Sequence, residues 1–248
     1  NFLNNSTGLQ VSKKYKNISS KITLNALNKK HLAFDHSNLE YKHNSTTIGI
    51  GKINRNWSFS PKTSLILSNN ARPAKSVYLE IKNKNNPNNF FFSWIGPNSL
   101  ELFNSVLSNT KGPEDAMLLG IRATFEPTKN LKFELVKTSQ WGGSGYDANL
   151  SQLGHAILGD TNNSKYSEIN QLAGFGISLN LSNYFLPLRV YGQFIGEDEA
   201  GSLPSCFMHL IGTEFLLSKL KYKTKLGLEL VDTRIDETSH GNCGENAA

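Results

Sequence analysis

The sequence predicts an all-β protein, an antiparallel up-and-down barrel of about 10–12 strands. Apolar residues alternate with polar or glycine residues over segments of about 8–12 residues, the period of a strand with two unlike faces. Few windows carry the 3.6-residue period of a helix. Charged residues make up only 19% of the 248-residue chain, and Asn, Ser and Thr supply the remaining polarity. That balance suits a wall with one greasy face and one wet face.

The elements follow in chain order. Ser64–Asn70 and Glu101–Leu107 carry at most a weak helical turn. Phe90–Ile95 and Leu100–Leu107 are apolar runs parted by the turn Gly96-Pro97-Asn98. In Met117–Glu126, Met117, Leu119, Ile121, Ala123 and Phe125 share one face, with Leu118, Gly120, Arg122, Thr124 and Glu126 on the other. Turn chemistry at Pro127–Asn130 then leads into Leu131–Lys137, which repeats the alternation and completes a hairpin. Ser139–Gln171 is a long polar segment, read as a loop or plug within a single domain covering 1–248. Phe175, Ile177, Leu179 and Leu181 face away from Gly174, Gly176, Ser178 and Asn180, and Leu181–Leu186 is a short turn. Leu188–Ile195 alternates cleanly, then meets Glu197, Asp198 and Glu199 in an acidic loop between Gly196 and Gly201. Leu226, Leu228 and Leu230 face away from Lys225, Gly227 and Glu229.

Two architectures fit this pattern. A soluble sandwich hides the apolar face; a membrane barrel turns it to lipid and lines its lumen with polar groups. Short turns at one end and long connections at the other favour the barrel. Tyr184, Phe185, Tyr191 and Tyr222 lie near strand ends, where aromatics meet a lipid interface or pack in a sandwich core. No stretch of about 20 apolar residues is present for a membrane helix. The opening NFLNNSTGLQVSKK is polar, so no leader is read there, and the ending HGNCGENAA does not finish on a strand, which favours truncation.

The net charge of +6 is spread along the chain with no basic block of interleaved aromatics, which argues against nucleic acid. Cys206 and Cys243 are the only cysteines, and either a single bond or two thiols is open. No zinc spacing, EF-hand, P-loop, His-Glu-x-x-His or Gly-x-Ser-x-Gly elbow occurs, and the six histidines are scattered. These readings predict no metal, no cofactor and no enzyme.

Four islands carry a resemblance. They are GKINRNW at Gly51–Trp57 with SLILSNNARP at Ser64–Pro73, WIGPNSLELF at Trp94–Phe103, QWGG at Gln140–Gly143, and NQLAGF at Asn170–Phe175 followed by YGQFIGEDEAGSLPS and LVDTR. In this order, from about Gly49 to Asp232, they resemble the capsule assembly Wzi family. The match departs at Asn56-Trp57-Ser58, where the family pattern has a second tryptophan and a glycine. The resemblance implies an outer-membrane β-barrel, here part of a larger one. It also implies a lectin-like role in holding capsular polysaccharide at the bacterial cell surface. A monomer in contact with outer-membrane lipid is the expected state; a porin-like channel and a secreted sandwich lectin are the alternatives.

Arg55, Trp57, Asn69, Asn70 and Arg72 gather the residue types that bind sugar polymers: flat rings, amides and forked cations. The competing reading gives Asn69-Asn70 to a turn and Arg72 to an ion pair. Trp141, flanked by glycines, reads as a stacking platform on a loop, an interface anchor or part of a plug. Arg122, Glu134, Arg189, Glu197 and Asp198 are expected to form a charge network in the lumen, with Arg72, Arg122 and Arg189 as cations for the acidic residues.

Overall fold

The computed structural model describes residues 7–27, 31–87, 92–107, 113–159, 169–182, 187–200, 203–217 and 224–234. Among these residues thirteen strands form one antiparallel sheet. They are β1 Thr7–Tyr15, β2 Ile18–Leu27, β3 His31–Ala33, β4 Asn38–His43, β5 Thr46–Lys52, β6 Lys75–Asn83, β7 Asn98–Val106, β8 Met117–Thr128, β9 Leu131–Trp141, β10 Asn170–Asn180, β11 Leu188–Ala200, β12 Leu203–Leu217 and β13 Thr224–Asp232. Each pairs with its sequence neighbour, except that the short β3 sits beside β2 while β2 pairs onward with β4. β1 and β13 are the two edges. Among the described residues the single α-helix, α1 Leu150–Leu158, lies between β9 and β10.

The hairpin read at Pro127–Asn130 forms, with Thr128 closing on Leu131 and a register shift between Phe125 and Thr128 that accommodates Pro127. The weak helical signal at Glu101–Leu107 gives way to β7, and Ser64–Asn70 lies in irregular chain. At both places the tertiary setting overrides a single local turn.

Register and burial assign the two faces. Glu101, Phe103, Arg122, Glu134, Val136, Gln193 and Ile195 share the concave side with Tyr78, Tyr191 and Glu229. Gln193 and Glu134 are fully buried there. Ile48, Ile50, Val77, Leu135, Phe175, Ile211, Leu226, Leu228 and Leu230 lie on the other side and are exposed. Polar groups inside and apolar groups outside are the reverse of a water-soluble sandwich, and they match a wall set in lipid.

Glycines shape the inner wall. Gly49 pairs with Tyr78, Gly120 with Phe103 and Gly212 with Tyr191. In each case a Cβ on the glycine would overlap the ring. The ring lies flat over its neighbour's bare backbone, which leaves lumen space for another segment.

The short connections Lys16–Asn17, Asn44–Ser45 and Lys129–Asn130 lie at one end of the sheet, and residues 53–74 and 142–169 connect strands at the other. β11 and β12 continue together to Ala200 and Leu203 at that second end, so Glu197–Glu199 stand on a strand rather than in a loop. Their side chains lie outside what is described. Cys206 is buried and disulfide-bonded, and Cys243 lies outside the described residues.

Candidate functional site: a lumen strap and its polar rim

Residues 53–74 leave β5 and fold into the concave space before returning at β6. The segment first organises itself. Trp57 N–H donates to the carbonyl of Leu67 at 3.0 Å, and the Ser64 hydroxyl donates to the Trp57 carbonyl at 2.8 Å. The Ser60 hydroxyl oxygen accepts from the backbone N–H groups of Lys62 and Thr63. Such self-closure is the mark of a compact Ω-type loop.

The wall then holds it at three places. Near β7, Glu101 accepts from Arg55 Nε at 2.9 Å and from Trp57 Nε1 at 3.1 Å. The Arg55 guanidinium stacks 4.0 Å from the Phe103 ring centroid, and Trp57 meets Phe103 edge-on at 5.3 Å. In the middle, the Gln193 amide donates to the Trp57 carbonyl and accepts from Leu65 N–H at 2.9 Å. One buried side chain thereby satisfies two backbone groups of the strap. On the far side, Glu229 of β13 accepts from the Ser60, Thr63 and Tyr191 hydroxyls. Trp57, Tyr78, Phe103, Val136 and Ile195 form the resulting core, with Leu65, Ile66 and Leu67 packed on it.

The strap emerges at the rim through Asn69, Asn70 and Arg72, all exposed. Asp35, in the turn before β4, accepts from Arg72 Nε at 2.8 Å and pairs with Lys52 Nζ at 3.4 Å. Burial pushes the Asp35 carboxyl upward, but the hydrogen bonds and charges of Arg72 and Lys52 outweigh it and hold the group below its ordinary value. The same contact raises Arg72 above its ordinary value. Arg72 stays 63% exposed in its side chain while its position is fixed from one side. The rim therefore presents two planar amides and an anchored forked cation to solvent, groups that donate to hydroxyl and carboxylate oxygens.

Arg122 and Glu134 pair across neighbouring strands at 2.6 Å, and Gln193 Nε2 donates to Glu134 at 3.1 Å. Arg189 pairs with Glu214 at 2.6 Å and lies against the Tyr191 ring. The three arginines expected to neutralise Glu197 and Asp198 thus have other partners: Arg72 takes Asp35, Arg122 takes Glu134, and Arg189 takes Glu214. Strand pairing sets the last two, because Arg122 and Arg189 stand beside strands that carry an inward glutamate. Tyr191 also turns inward to Glu229 rather than to a lipid interface.

Trp57 and Arg55 are gathered near one wall, with Asn69, Asn70 and Arg72 at the rim; Trp57 is only 1% exposed, its ring a packing group in this arrangement. Trp141 departs further from the loop position read for it. It is the last residue of β9, pairs with Met117 on the outer face, and is covered by α1. Along its described length the segment 139–171 is therefore loop chiefly at 142–149, and its helix lies outside the wall rather than plugging the lumen. It finishes β9, forms α1 against the outside of the wall, and begins β10. Among the described residues no group of three or more His, Cys, Asp or Glu is placed to hold a metal ion.

Asp35, Tyr78 and Glu101 escaped the sequence reading of the site, whereas Gln193 turns inward beside Glu134 as the alternation of Leu188–Ile195 implies. Glu101 had a signal: a glutamate on the polar side of the alternation Leu100–Val106. Asp35 had none, since its cationic partners Lys52 and Arg72 lie 17 and 37 positions away.

Comparison with known proteins agrees with this geometry. The family model for capsule assembly protein Wzi matches residues 2–246. An uncharacterized 55.8 kDa protein in the cps region of Klebsiella pneumoniae is 30% identical over 169 residues, covering 67% of this chain and 34% of the relative. A solved Escherichia coli structure superposes with a TM-score of 0.82 at 26% identity, covering 94% of this chain and 52% of that one. It is Wzi, an outer membrane protein involved in group 1 capsule assembly, described as a carbohydrate-binding β-barrel. The chain thus spans about a third of the curated relative and about half of the solved one. An inverted strand pattern, a lumen strap seated on an inward amide and carboxylates, and a family match across nearly the whole length give one result: the chain belongs to the capsule assembly protein Wzi family of outer-membrane β-barrels.

Proposed function

We propose that this chain is part of a lectin-like protein that holds capsular or extracellular polysaccharide at the outer surface of the outer membrane. The observation that carries the reading is the strap: a segment tied to β7, β11 and β13 that fixes Asn69, Asn70 and Arg72 at the rim. The two longest connections, residues 53–74 and 142–169, mark that rim as the extracellular end, since outer-membrane barrels keep their shorter connections on the periplasmic side. Amides and an anchored arginine suit a polymer of hydroxyls and uronate-type carboxylates. Binding, rather than catalysis, is the role assigned, and Arg55 and Trp57 act as the seat of the strap. The outer apolar face contacts membrane lipid, and a single copy suffices for these contacts.

Capsule retention in cells tests this. In the full-length protein, N69A/N70A/R72A is expected to shed polysaccharide into the medium while reaching the membrane in normal amount. Normal retention by that variant would remove the rim from the function.

A further inference from the structure

The helix α1 has no counterpart in the lumen. Its N-terminus is capped by Asn149, whose side chain accepts from Gln152 N–H, and Gly159 ends it in the left-handed region. Its sequence, LSQLGHAIL, carries no Asp, Glu, Lys or Arg. One side packs on the outer wall: the Ser139 hydroxyl donates to the Ala156 carbonyl at 2.8 Å, and Ala156 and Leu153 join Leu119 and Trp141. Lys137, also outward, reaches up to the Ile157 carbonyl at 3.3 Å, so its charge serves the helix C-terminus. The remaining side is mostly apolar, with Leu150 and Leu158 more than 80% exposed beside Ile157 and with Ser151 as its exposed polar side chain. A helix apolar on both sides belongs between a protein wall and lipid.

Between α1 and strands β5–β8 lies a cleft of about 500 Å³ whose lining includes Val77, Leu102, Leu119, Ile121, Leu153 and Ile157. It shares Val77 and Asn104 with a second cleft of about 650 Å³ toward the long-connection end, whose lining includes the exposed Lys75. We propose that this pair of clefts is a lipid site. An acyl chain of an outer-leaflet lipid lies under α1, and its anionic headgroup meets Lys75. The inference rests on the membrane reading above. It goes beyond that reading because it names one place on the wall that holds a lipid in preference to the bulk. The apolar lining continues the lipid-facing surface, and the cation stands at the polar end of the groove, as an anionic amphiphile requires.

The test uses the full-length protein in vesicles of neutral phospholipid carrying a small fraction of phosphatidylglycerol with a photoreactive acyl chain. Peptide mapping should find adducts on Leu119, Ile121, Leu153 and Ile157 roughly fivefold above those on Leu226, Leu228 and Leu230, a ratio worth about 1 kcal/mol. I121W, which fills the cleft, should remove that excess but leave the β13 adducts, and K75E should abolish the preference for the anionic probe over its phosphatidylcholine analogue. Equal labelling of both regions, or an excess untouched by I121W, would overturn the site while leaving the membrane reading intact. Absence of adducts on either region would overturn the membrane reading itself.

Discussion

At the scale of single residues, the molecule depends on a few inward polar groups that each serve more than one partner. Glu134 is fully buried, holds Arg122 and accepts from Gln193. Removing one member of such a pair strands the other charge. E134A is therefore expected to cost about 3 kcal/mol, read as a lowered unfolding temperature in detergent, and E134Q less. Gln193 accepts from the Leu65 N–H and donates to the Trp57 carbonyl, which also accepts from Ser64, so Q193L leaves the Leu65 N–H unpaired at a cost of about 1–3 kcal/mol. Asp35 gives a pH dependence with a definite sign. Its folded value lies below the unfolded one of about 3.9, so its contribution is present above that pH and fades as pH falls through the lower folded value. Wild type should exceed D35N in thermal stability at pH 7, and the gap should narrow toward pH 3. A gap independent of pH would remove Asp35 from the rim latch.

At the scale of elements, most strands were legible because a half-lipid, half-lumen wall imposes strict alternation. Met117–Glu126 and Leu131–Lys137 became β8 and β9 on the faces their patterns gave. The long connections were not legible, because their contacts are set by the wall and not by neighbours in sequence. The segment 53–74 is the lumen strap, while 142–169 contributes a helix to the outer wall. Asn149 and Gly159 were the available signals for α1, hidden in a run of polar residues. The acidic residues Glu197–Glu199 looked like a loop because three adjacent charges resemble one, yet the β11–β12 hairpin carries their backbone in register. Strap and wall are fitted through Gly120, where a Cβ would lie 2.1 Å from Phe103 and 2.7 Å from Trp57. G120A is expected to destabilise by about 2 kcal/mol and to speed proteolysis within residues 53–74. Unchanged cleavage would mean that the strap does not rest on this glycine.

At the scale of the whole molecule, fold and family were readable from the sequence, as was the inward placing of Arg122, Glu134 and Arg189, while the roles of Arg55 and Trp57 were not. Arg55 and Trp57 are spent on seating the strap, which leaves Asn69, Asn70 and Arg72 facing solvent. The strap crosses from β5 to β13, so planar bilayers carrying the full-length protein should stay near baseline conductance. Wide ohmic pores would show that the lumen is open. Whether the strap-built rim binds polysaccharide is read by equilibrium binding of purified capsular polysaccharide to the full-length protein in nanodiscs. Saturable binding is expected, weakening about tenfold or more in N69A/N70A/R72A, while the barrel stays folded and loses no more thermal stability than in D35N. Equal binding by wild type and variant, or loss of binding only alongside loss of the fold, would contradict binding at the rim.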